Sequence, residues 1–128
     1  MFAKSDILNM SAALAANAEA RLSAVAENVA NADTPGYRAK DAAPFSATYL
    51  GLSDFVLRTT RPGHLGPADD QSVTNIQLRP GGHMSPNGNN VSLEDELMRA
   101  STIRQDHDLA LGIYKSALTI LRTSLGRR

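Results

Sequence analysis

Three histidines, His64, His83 and His107, and no cysteine stand in this 128-residue chain. A zinc site or a general base would draw on such histidines, and helical metal ligands usually come in close pairs. These three lie 19 and 24 residues apart, so a metal site would have to recruit distant carboxylates. The acidic clusters are Asp69-Asp70 and Glu94-Asp95-Glu96. The first reads as a solvated turn, and the second as negative charge on the positive end of a helix dipole. Gly81-Gly82-His83-Met84-Ser85 lacks the strand and helix context of a phosphate loop. No G-x-S-x-G nucleophile elbow occurs. The absence of cysteine removes disulfides, thiolate metal sites and Cys nucleophiles. These residues point to no catalytic centre and call for no cofactor and no metal.

The elements that would position any site are two helical segments around an irregular middle. The first can be capped by Ser5 or Asp6 and begins near Ile7. Its seven-step rows are Leu8, Ala15, Leu22, Val29 and Ser11, Ala18, Val25, Ala32. Together they form a 3-4 seam of coiled-coil type, half of it Ala or Ser. Such a seam lets a partner helix approach closely but buries little. The second segment opens at Ser92, the expected N-cap, with Asp95 at capping-box spacing. Its seam reads Leu97, Ala100, Arg104, His107, Leu111, Tyr114, Leu118, Leu121, Leu125. A helix of more than 30 residues, roughly 45–50 Å long, needs another long helix beside it.

Between them, Asn28-Val29-Ala30-Asn31-Ala32-Asp33-Thr34-Pro35-Gly36-Tyr37 stops the first helix. Asn31 and Asp33 compete for backbone hydrogen bonds, Pro35 moves Thr34 out of the α region, and Gly36 is free to take positive φ. Beyond it, Pro and Gly recur with no sustained period, and Ala47–Leu50, Phe55–Thr60 and Val73–Leu78 read as short β-prone runs. The expected fold is mainly α. Long N- and C-terminal helices pair as a coiled-coil-like inner domain (1–34 with 92–128), around an irregular or small β middle segment or arm (35–91).

Thirteen basic and thirteen acidic residues give zero formal net charge, which argues against a nucleic-acid partner or a membrane-surface patch. No apolar run approaches the ~20 residues of a membrane span, and the N-terminus is unlike a cleaved secretory signal. Hydrophobic content is 42%, much of it Ala, and aromatic content is 5%, so a rich independent core is not expected.

Residues 21–40, centred on Asn28 to Tyr37, resemble the N-terminal signature of bacterial flagellar rod and hook proteins, roughly "ANNxANxxTPGY". Leu57-Arg58-Thr59-Thr60 with His64-Leu65, and Asn87–Met98, resemble further segments of the rod branch. Glu27 stands where that family usually carries the first Asn of a pair, and His107 near a usual aromatic. The resemblance implies a structural subunit of the basal-body rod, exported without a cleaved signal peptide through the flagellar type III apparatus. It implies a rod position in the periplasm, and partners that are other copies, FlgC-like and FliE-like proteins and the export gate. Contact with the membrane would be only indirect, through the basal body, and no small-molecule substrate is implied. Asn28, Asn31, Thr34, Pro35, Gly36 and Tyr37 would then be signature and assembly residues. Leu8, Leu22, Val25, Val29, Leu97, Leu111, Tyr114, Leu118, Leu121 and Leu125 would form the helix seams and subunit packing. A sister proximal rod protein, or a soluble helical adaptor or export chaperone using the same seams, is the alternative.

Overall fold

The structure is a computed structural model that describes residues 2–52 and 74–126. Its elements are α1 (Phe2–Ala30), β1 (Lys40–Ala42), α2 (Phe45–Leu52), β2 (Ile76–Leu78) and α3 (Leu93–Ser124). α1 and α3 pack along each other. β1 and β2 form an antiparallel ribbon beside α1, with Lys40 opposite Leu78 and Ala42 opposite Ile76. The helices dominate and the sheet is minimal, as the heptad rows and the Gly/Pro-rich middle lead one to expect.

α1 begins earlier than its capping residues suggest, at Phe2 rather than near Ile7. The Ala-rich stretch that follows carries helix with no further signal, because Ala loses no side-chain entropy. α3 begins where Ser92 indicates: Ser92 has extended backbone, and its Oγ accepts a hydrogen bond from the Asp95 amide. It ends where Gly126 takes φ +68°.

One middle-segment expectation is overturned. Ala47–Leu50 is not a strand but the centre of α2. The Pro44 carbonyl accepts from the amides of Ala47 and Thr48, which starts the helix. The Phe45 and Tyr49 rings, one helical turn apart, then stack with centroids 5.1 Å apart. The β-prone run that forms a strand is the last one, as Ile76–Leu78. Phe55–Thr60 lies outside the described residues.

The apolar core is small. Ala18, Val25 and Ile103 are its buried centre, flanked by Leu22, Val29 and Ala100. α1 meets α3 through the rows expected of it. α3 answers with Glu96, Ile103 and Ala110, one position before the row Leu97, Arg104, Leu111. The small residues Ala18 and Ala110, with Ser11, let the two backbones come close, so the buried stripe is narrow. Leu97 is 61% exposed and Leu125 77% exposed in the single chain.

Candidate assembly corner and helix faces

α1 carries two faces with separate tasks. The apolar one holds α3. The other, at Asn17, Arg21, Ala24 and Asn28, holds the returning chain. Asn17 donates its side-chain amide to the Ala43 carbonyl at 3.0 Å. Arg21 donates to Asp41 at 3.3 Å. Asn28 donates to the Lys40 carbonyl at 2.8 Å, and its Oδ1 accepts from the Lys40 amide at 2.9 Å. A strand neighbour would satisfy Lys40 in the same way. These spacings of four and three residues line up along one helix face. β1 therefore runs back along α1, stitched by side chains. Ala24, fully buried beneath it, leaves room for the backbone.

Behind this seam lies a buried polar cluster. Glu96 has no exposed surface. One carboxylate oxygen accepts from Arg79 at 2.6 Å and the other from Asn28 at 3.0 Å. Glu96 thus joins α3, the residue that follows β2, and α1. Asp41 bridges Arg21 of α1 and Arg99 of α3, at 3.3 and 3.4 Å. Every fully buried side-chain polar atom among the described residues has a partner, as the cost of burying an unpaired one requires.

The corner itself is built from Asn31 to Tyr37. Asn31 donates its side-chain amide to the Glu27 carbonyl at 2.8 Å, competing with the helix ladder as an Asn at a helix end does. Gly36, at φ +72°, donates its amide to the Asn87 carbonyl at 3.0 Å. Gly88, at φ +80°, packs beside Gly36, and its positive φ is the constraint that favours glycine there. Thr34 is exposed, its carbonyl accepting the Tyr37 amide, and Pro35 is exposed. The Tyr37 hydroxyl donates to Asn28 Oδ1 at 3.3 Å. Burial first, and then the nearby Glu27 carboxylate, raise the Tyr37 pKa above its ordinary 10.0. Lys40 is raised above 10.5 by its hydrogen bond to Glu27.

Asn28, Asn31, Thr34, Gly36 and Tyr37 therefore form one constellation around the end of α1. Leu8, Leu22 and Val29 are half-buried and Val25 is buried, all on α1's apolar side. On α3, Leu118 and Leu121 are half-buried, whereas Leu97, Leu111, Tyr114 and Leu125 are exposed. Residues that sequence reasoning left out carry much of the corner: Asn17, Asp41, Arg79, Asn89 and Glu96. A clue was available for three of them. Asn89 and Glu96 stand inside the Asn87–Met98 segment that resembles the rod family, and Asn17 stands seven residues before Ala24 and eleven before Asn28.

α3 also exposes apolar side chains on two flanks. Leu97, Leu111 and Leu125 recur at 14-residue intervals on one. Met98, Leu109 and Ile120 recur at 11-residue intervals on the other. Beside the second flank, Ile7, Ile113, Ala117 and Leu121 help line an apolar groove of about 650 Å³. Among the described residues, no cluster of three or more His, Asp or Glu could hold a metal ion, and no helix is long and apolar enough to cross a membrane.

The apolar flanks turned outward on α3 mark surfaces of the kind that partners cover. Residues 8–38 match the protein family described as "Flagella basal body rod protein". The flagellar basal body rod protein FlgB of Agrobacterium fabrum is 34% identical over 100 residues, covering 75% of each chain. The chain belongs to the flagellar basal-body rod protein family, and it is a structural subunit of that rod.

Proposed function

We propose that this subunit serves in the proximal part of the rod, stacking with copies of itself and with FlgC-like and FliE-like neighbours close to the export gate. The observation that carries the reading is the pair of outward apolar flanks on α3. Large apolar side chains left exposed in rows on a helix mark surfaces that a partner covers. α1 covers one stripe, and neighbouring subunits cover the flanks at Leu97, Leu111, Leu125 and at Met98, Leu109, Ile120. Two flanks on one helix favour head-to-tail contacts, which propagate as a tube where an isologous dimer would close.

In this reading the chain has no catalytic role and crosses to the periplasm through the flagellar export apparatus without a cleaved signal. Residues 35–91 form an arm on the paired helices 1–34 and 92–128. The zero net charge leaves little repulsion against assembly. Deleting the gene and fractionating basal bodies from a complemented strain tests the reading. Loss of flagella on deletion, with the protein recovered in purified basal bodies, is expected. Normal flagellation after deletion, or a protein found only as a soluble cytoplasmic dimer, would defeat it and favour the chaperone alternative.

A further inference from the structure

The last carbonyls of α1 are met locally, those of Glu27 and Asn28 by the Asn31 amide and that of Val29 by the Ala32 amide, but the turn that follows presents further carbonyls at residues 31–34. A residue more than fifty positions away binds these. The Asn89 side-chain amide donates to the carbonyls of Asn31 at 3.0 Å, Ala32 at 2.7 Å and Thr34 at 3.0 Å. Asn89 is only 1% exposed. Its Oδ1 meanwhile accepts the Val91 amide at 2.8 Å, which shapes the approach to α3. The same turn is closed by three further bonds. The Ser85 amide donates to the Asn89 carbonyl, the Gly88 amide to the Ser85 carbonyl, and the Gly36 amide to the Asn87 carbonyl. The termination of α1 and the launch of α3 are thus one piece of structure, with Asn89 at its centre.

We propose that Asn89 is a positioning residue that closes the neck between α1 and the middle segment: from the turn preceding α3, its amide clamps the turn at residues 31–34 that follows α1. This inference rests on reading residues 35–91 as an arm on a helical base. The clamp joins the point where the chain leaves α1 to the point where it enters α3. Its closure fixes where Tyr37 and β1 begin relative to α1. The α1–α3 core at Ala18, Val25 and Ile103 lies further along the helices and does not depend on it.

Two variants separate this role from a generic one. Asn89→Asp keeps the acceptor for Val91 but turns a carboxylate, which cannot donate, toward three carbonyls. Asn89→Ala removes both functions without adding charge. Amide exchange in the purified full-length chain would be followed at Thr34, Gly36, Tyr37 and Lys40, and across residues 18–25, beside the thermal midpoint. Exchange at the corner is expected to accelerate roughly tenfold in Asn89→Ala, the scale of one or two lost hydrogen bonds, and further in Asn89→Asp. Residues 18–25 should keep their protection in Asn89→Ala. Wild-type protection of the corner in Asn89→Asp would overturn the proposal, because the donor would then be dispensable. Equal loss across the corner and residues 18–25 in Asn89→Ala would also overturn it, by showing a global structural role. The readout uses isolated protein, so it can fail while the rod assignment stands.

Discussion

Removing the Glu96 carboxylate tests the polar cluster that ties arm to helices. Glu96→Ala leaves Arg79 and Asn28 facing a void where two charge-assisted bonds of 2.6 and 3.0 Å had been. Breaking a buried ion pair by deleting one partner costs about 3–5 kcal/mol when the survivor stays buried. The Arg79 side chain is 15% exposed, so its guanidinium can recover water and the cost falls toward the lower limit. The Asn28 amide, fully buried, still holds Lys40, and losing one of its acceptors costs about 1 kcal/mol more. The total is roughly 3–4 kcal/mol, which is ~12 °C or more in thermal midpoint for a chain of this size. Glu96→Gln should lose about half as much, since its oxygen can still accept from Arg79 while its NH2 confronts the Asn28 NH2. Urea melts followed by far-ultraviolet circular dichroism, with the Arg79→Met single and double variants completing a cycle, measure this. A Glu96→Ala variant within about 0.5 kcal/mol of wild type, or zero coupling to Arg79, would refute the reasoning.

Other substitutions probe the remaining features. Asn28→Ala strips partners from the Lys40 amide and carbonyl and from Glu96, and should destabilise by roughly 2–4 kcal/mol in the same melts. Asn28→Asp should be worse, because a carboxylate would face Glu96. Leu111→Glu, on an exposed flank, should leave the melt of the free subunit within about 0.5 kcal/mol yet abolish swimming in soft agar. In a spectrophotometric titration, Tyr37→Phe should remove a late-ionising component. Because the Tyr37 pKa is raised on folding, its contribution to stability is complete below pH 10.0 and is lost as pH rises through the folded value. Lys40, raised above 10.5, acts with the same sign, so the corner should loosen in strong alkali.

The α1–α3 pair was legible because heptad rows survive even when half their members are Ala or Ser. The corner was legible because Pro35 and Gly36 leave the backbone few choices. The register on α3 was not. Leu97, Leu111, Leu118 and Leu125 make the stronger apolar row, whereas the chain turns Glu96, Ile103 and Ala110 to α1. Periodicity marks every face that is buried in any context, and one chain alone does not say which partner covers which face. α2 was misread because Ala47–Leu50 has β-prone members, while the decisive signals were the Pro44 carbonyl start and the Phe45–Tyr49 pair. The polar stitching by Asn17, Asn28, Asn89 and Glu96 depends on contacts across as many as 68 residues, which no local pattern carries.

The central claim is that the outward flanks of α3 become interior when the rod forms. The chain has no cysteine, so Leu111→Cys introduces a single reactive thiol. Its alkylation rate should be compared in the purified subunit and in basal bodies isolated from a swimming strain that carries the variant. We expect rapid labelling of the free subunit and strong protection in the basal body. Equal labelling in both would contradict the account.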